Sequence, residues 1–135
     1  MTDTVYSAFC KTVATYPDND FIHIPAQATA DYADTAITYT YAQAADSVDV
    51  LRAIYERAGY AAGLRVALVL DNRAEMFLHL LALNALGISV VPVNSAFQAG
   101  EAGYVITHAD CCLVVSLPAH LPLIAAALEG HQQAI

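Results

Sequence analysis

From Arg65 onward the chain alternates short, unbroken apolar runs with stretches whose apolar residues recur at helical spacing, and this alternation narrows the architecture more than any other feature. Val66-Ala67-Leu68-Val69-Leu70, Ile88-Ser89-Val90-Val91-Pro92-Val93 and Cys112 to Ser116 read as strands. A strand that is apolar on both faces has to be covered on both faces. Helical patterns run from Asn72 to Gly87, from Gln98 to His108 and from Pro118 to Leu128. Asn72 is placed to cap the first of them, with Glu75 in its opening turn. Strands alternating with helices across short loops predict neighbouring parallel strands with right-handed crossovers. The expected fold is α/β, a Rossmann-like sheet with parallel strands and helices on both faces.

Upstream, Val5, Tyr6, Phe9, Cys10 and Val13 mark a helix that stops at Tyr16-Pro17, where proline cannot continue it. Phe21 to Ile24 and Ile37 to Tyr39 read as strands, and Gln27 to Asp34 as the loop between them. Thr40-Tyr41-Ala42-Gln43 fits a capping box, in which the threonine hydroxyl and the glutamine side chain satisfy each other's backbone N–H groups. Ala44, Val48, Leu51, Tyr55 and Ala58 carry the helix on to Gly59. Residues 1–39 thus form a helix-and-strand lead and residues 40–135 an alternating unit, with no linker or repeat dividing them. The end, His131-Gln132-Gln133-Ala134-Ile135, carries no terminating signal and reads as a cut.

Of the 135 residues 58% are hydrophobic and 13% charged, which excludes a disordered chain and leaves few charges to cover an isolated globule. Self-association or an apolar partner surface is expected. A net charge of −8 excludes the electrostatic footprint of a nucleic-acid binder. Cys10, Cys111 and Cys112 make no disulfide framework, which fits a reducing cytoplasm, and no signal peptide is expected from Met1-Thr2-Asp3-Thr4. His79, Asn84, Gly87 and Pro92 interrupt the apolar window from Met76 to Val93, so a membrane span is not expected.

The turn Asp71-Asn72-Arg73-Ala74 lacks the glycines that would let backbone approach a dinucleotide pyrophosphate, and no phosphate loop of the Walker type is present. His23, His79, His108, His120 and His131 show no metal-ligand spacing with cysteines or carboxylates. His79 lies one turn after Glu75, which permits a local ion pair. Burial of at least one of Cys111 and Cys112 is expected, since neighbours in a strand face opposite ways. No nucleophile elbow surrounds Ser47, Ser89, Ser95 or Ser116.

Taken in order, the same segments suggest a family. Thr40-Tyr41-Ala42-Gln43 resembles a Thr-Tyr-x-Glu helix opening, Gly63-Leu64-Arg65-Val66-Ala67 a Gly-Asp-Arg-Val-Ala segment, and Asn72-Arg73-Ala74-Glu75 an Asn-Arg-Pro-Glu turn. Ala85 to Asn94 resembles an Ala-Gly stretch followed by apolar residues and Val-Pro-x-Asn, and Glu101 to Val115 a helix and strand reading Glu, Tyr, Ile, His-Ser and an apolar run. Between Ala36 and Ser116 the chain is similar to the acyl-adenylate-forming enzymes. Gln43, Leu64 and Ala74 depart from the pattern. Within that superfamily Asn94 leans toward acyl-CoA ligases, because carrier-protein-loading relatives usually carry Asp there.

The resemblance implies an incomplete N-terminal subdomain of an enzyme that uses ATP, Mg and CoA to convert a carboxylic acid to an acyl-adenylate and then a thioester. The family's phosphate loop, acyl pocket and C-terminal lysine find no match here, so no cofactor is expected bound to this chain and no catalytic or metal residue is assigned. By the same resemblance Asn94, Ser95 and Ala96 are candidates for a rim of the CoA channel. The alternative is a free-standing small α/β interaction or assembly domain without catalysis.

Overall fold

The computed structural model describes residues 3–129; His131 and the proposed cut at the end lie outside them. A three-stranded parallel sheet, β3 (Arg65–Val69), β4 (Ser89–Pro92) and β5 (Leu113–Ser116), has the order β4-β3-β5. Val66 pairs with Val90 on one side and with Leu113 on the other. The three strands are neighbours and parallel, as the apolar runs require. Pro92, which donates no N–H, sits in β4 at an edge of this sheet, where its missing bond is tolerated.

Alternate residues of β3 serve two separate cores. Val66 and Leu68 pack with Phe9, Val48, Tyr55 and Leu81 from α1 (Val5–Thr15), α3 (Tyr41–Arg57) and α4 (Ala74–Ala85). Ala67 and Val69 pack on the other face with Ala102 and Ile106 of α5 (Ala99–His108) and with Ile124 and Ala127 of α6 (Leu121–Leu128). Four consecutive β3 residues, Val66 to Val69, have no exposed surface. Burial of a side chain such as Leu68 contributes about 2 kcal/mol.

The lead of the chain joins the first of these cores. An antiparallel pair, β1 (Asp20–Ile24) and β2 (Ile37–Thr40), forms its own two-stranded sheet. The Tyr6 N–H donates to Asn84 Oδ1 at 2.9 Å, tying α1 to α4. Thr40 and Gln43 form the expected capping box of α3.

Three readings of the sequence are corrected here. Gln27 to Asp34 is not a plain loop, because α2 (Ala26–Thr29) forms in it. The cause is Thr29, fully buried, whose hydroxyl donates to the Thr35 carbonyl at 2.9 Å and folds the segment back on itself. The N-cap of α4 is Arg73, not Asn72, and no side chain caps it. Asp71 takes a left-handed conformation with φ of 57°, so the turn uses one more residue than the spacing suggests. The last helical pattern opens as a 3-10 turn over Pro118–His120 before α6 begins.

Two glycines serve specific packing needs. Gly87 has φ of +74°, and an added Cβ would lie 3.0 Å from that of Ala62. At Gly103 a Cβ would press into the backbone carbonyl of Ala127, so α5 and α6 approach closely only with glycine there.

Candidate functional site

Parallel strands bring all their carboxyl ends to one edge, where ligands of open α/β sheets are held. Here that edge carries the turn after β3 (Leu70 to Arg73), the loop after β4 (Val93 to Gln98) and the turn after β5 (Leu117 to His120). A cleft of about 430 Å³ opens between the first two, lined by Asp71, Asn72, Met76, Asn94, Ser95 and Phe97 among others.

The candidate residues Asn94, Ser95 and Ala96 all lie on this loop. Asn94 Oδ1 accepts the Ala96 N–H at 2.9 Å and the Asn94 carbonyl accepts the Phe97 N–H at 3.0 Å, an asparagine-stabilised turn. Asn94 and Ser95 line the cleft. Ala96 is exposed, with its N–H turned back to Asn94.

Two residues that sequence reasoning did not select complete the constellation. Ser95 Oγ donates to Asp71 Oδ1 at 2.7 Å, and His120 Nε2 lies 3.0 Å and 2.9 Å from the two Asp71 oxygens. These bonds, Ser95 first and His120 second, hold the Asp71 carboxyl below the ordinary carboxylate range against the opposing effect of partial burial; the charges of His120 and Arg73 act in the same direction. The only signal in the sequence was position, since Asp71 and His120 each lie just beyond the carboxyl end of an apolar run. Serine and histidine both bind the aspartate, with no bond between them that would make the serine a nucleophile.

The other described histidines are engaged elsewhere. His79 does not pair with Glu75; its Nδ1 lies 2.7 Å from the Tyr55 hydroxyl. Burial pushes His79 down and Tyr55 up to about 12, so the pair is held as neutral imidazole and protonated phenol. His23 bonds the Thr38 hydroxyl and His108 stacks on Tyr104. Cys111 is buried and Cys112 half-buried; both precede β5 rather than lying in it. Among the described residues no three His, Cys, Asp or Glu side chains converge as a metal site requires. No helix among them is long and apolar enough to cross a membrane.

Every lysine and arginine already has a protein partner. Lys11 pairs with Asp3, Arg52 donates to the Tyr6 hydroxyl, Arg57 to the Ala53 carbonyl and Arg65 to the Ala109 carbonyl. The Arg73 guanidinium lies 3.7 Å above the Tyr32 ring. Among the described residues, the one lysine or arginine in the carboxyl-edge loops is Arg73, stacked on Tyr32.

A three-stranded parallel core with this order of helices and strands, and loops converging at one edge, is the architecture of the N-terminal subdomains of adenylate-forming enzymes. The sequence model of the AMP-binding enzymes matches residues 9–134, and the chain belongs to that family. It is 27% identical over 116 residues to a sulfoacetate–CoA ligase from Cupriavidus necator, covering 86% of this chain and 21% of that protein. The fold matches the inhibitor-bound N-terminal domain of FACL13 from Mycobacterium tuberculosis, with a TM-score of 0.81, 21% identity and coverage of 93% of this chain and 29% of that one. It also matches a fatty acyl CoA synthetase from the same organism, with a TM-score of 0.78, 21% identity and coverage of 90% and 22%. The chain therefore spans between a fifth and a third of the length of these relatives.

Proposed function

We propose that residues 1–135 are part of the N-terminal domain of an ATP-dependent acid–CoA ligase. The parent converts a carboxylic acid and MgATP to an acyl-adenylate and pyrophosphate, and CoA then displaces AMP. Family membership and the relation to a CoA ligase support this reading, as does Asn94 where carrier-loading relatives have an acid. The reaction takes place in the cytoplasm.

This chain holds no part of the adenylation chemistry. Its donor set does not fit MgATP: no glycine-rich phosphate loop is present, the five lysine and arginine side chains do not converge on one site, and the net charge is −8. An in-line phosphoryl centre needs metal and cationic donors converging on the phosphates. No step of adenylation is assigned here.

Its contribution is a rim. The observation that carries this is the placement of Asn94, Ser95 and Ala96 on the loop after β4, beside a cleft whose exposed groups include the neutral amides of Asn72 and Asn94. Such groups suit hydrogen bonding to the neutral parts of CoA rather than gripping its phosphates. Nitrogen-15 NMR of the chain titrated with CoA tests it. Shifts confined to Asn94–Ala96 and neighbours of the cleft are expected; shifts elsewhere, or none at millimolar CoA, would refute the rim.

The face between α1 and α4 receives the rest of the parent or, in the isolated chain, a second copy. Val5 and Phe77 are 60% and 50% exposed there, at the mouth of an apolar groove of about 360 Å³ floored by Phe9, Phe21, Tyr41 and Leu81. An exposed apolar patch of this kind marks an interface.

A further inference from the structure

We propose that Asp71 is a positioning residue that staples the three strand-end loops together, so that the loop after β4 is held in place from the turn after β5. Three observations meet at this carboxylate. It accepts a hydrogen bond from Ser95, 24 residues away, and pairs with His120, 49 residues away. Its backbone is left-handed, with φ of 57°, a conformation that costs free energy in a non-glycine residue and persists where surrounding contacts over-determine it. His120 opens directly into α6, and Asp71 leads into α4, so the staple joins loops rooted in helices on opposite faces of the sheet.

The charged groups facing Asp71 are few. His120 faces it from the turn after β5 and Arg73 from the start of α4, while the loop after β4 presents only the neutral Ser95 and Asn94. Hydrogen bonds to an ionised carboxylate are roughly twice as strong as neutral ones. Ser95 and His120 share no bond with each other in this constellation. Asp71 is thus the residue bonded to both, and it supplies the direct hydrogen-bonded link from His120 to the Asn94–Ala96 loop.

As support for a CoA rim the staple rests on the reading above; as a staple it stands without any ligand. Amide hydrogen exchange of the full chain, with no CoA present, separates the two. The reporters are the N–H groups of Ala96 and Phe97, bonded to Asn94, and that of His120, bonded to the Leu117 carbonyl. Asp71→Gly keeps the left-handed turn available while deleting the carboxylate, and should speed exchange at all three amides about tenfold. Asp71→Asn, which retains an acceptor and tolerates the same backbone, should restore most of the protection. His120→Ala should speed Ala96 and Phe97 as well as its own turn, with β3 unchanged. If Asp71→Gly leaves Ala96 and Phe97 as slow as in the unsubstituted chain, or His120→Ala affects only the Leu117–His120 turn, the staple is overturned. Failure of the CoA titration with these exchange results intact would tell against the rim alone.

Discussion

The Tyr55 hydroxyl and His79 Nδ1 share a hydrogen bond of 2.7 Å that joins α3 to α4 at the larger core. Tyr55 is only 5% exposed, and an unpartnered buried hydroxyl costs about 1–3 kcal/mol. His79→Ala should therefore destabilise the chain by about 2 kcal/mol in chemical denaturation.

The same pair sets a pH dependence. Burial depresses His79 from its ordinary value of 6.5, so just below that pH the unfolded chain binds more protons than the folded one. Stability should fall as pH drops through this window. Tyr55 is raised from 10.0 to about 12; above pH 10 the unfolded chain loses its proton first, and stability should fall again as pH rises. Denaturation at a series of pH values checks both arms, with His79→Gln expected to flatten the acid one and Tyr55→Phe to reduce the alkaline one, to which Tyr6 and Cys111, also raised by burial, contribute the rest. Retention of both slopes in these variants would contradict the assignment.

Gly103 allows α5 to lie directly against the carboxyl end of α6 at Ala127. Because the obstacle to a Cβ is backbone rather than a flexible side chain, Gly103→Ala should cost about 2 kcal/mol despite alanine's better helix propensity. Thermal unfolding of the variant checks it. An unchanged or raised midpoint would mean that the two helices separate at no cost.

Much of the fold was legible because its signals are local. The unbroken run from Val66 to Leu70 announces a strand covered on both faces, and Thr40 with Gln43 announces the start of α3. What could not be read depends on distant parts of the chain. Thr29 looks like a loop residue until the Thr35 carbonyl and the surrounding core bury it. His79 turns from its helical neighbour Glu75 to Tyr55, because a hydrogen bond within the core outweighs a surface ion pair worth a few tenths of a kcal/mol. The loop Asn94–Ala96 could be nominated from its place after a strand. The Asp71-Asn72 turn shares that position, but the meeting of Asp71 with Ser95 and His120 could not be read, since it is a product of the parallel topology and leaves no spacing to detect.

Phe77 and Val5 leave an apolar groove uncovered between α1 and α4. Sedimentation of the isolated chain at rising concentration should show self-association, and the double substitution Val5→Ser, Phe77→Ser should shift it toward monomer. A strictly monomeric unsubstituted chain at high concentration would show that this face needs no partner.

Titration of the 135-residue chain with MgATP tests most directly the proposal that these residues are a scaffold and rim and that the adenylation chemistry belongs to other parts of the parent. The dispersed cations, the lack of a phosphate-loop motif and the net charge of −8 all oppose a bound tetra-anion. Calorimetry is expected to show no saturable binding at micromolar concentrations, and a panel of carboxylic acids is expected to release no pyrophosphate. A micromolar dissociation constant, or pyrophosphate release with any acid, would contradict the claim and place a nucleotide site within these residues, with the cleft between Asp71-Asn72 and Asn94-Ser95 the first place to look.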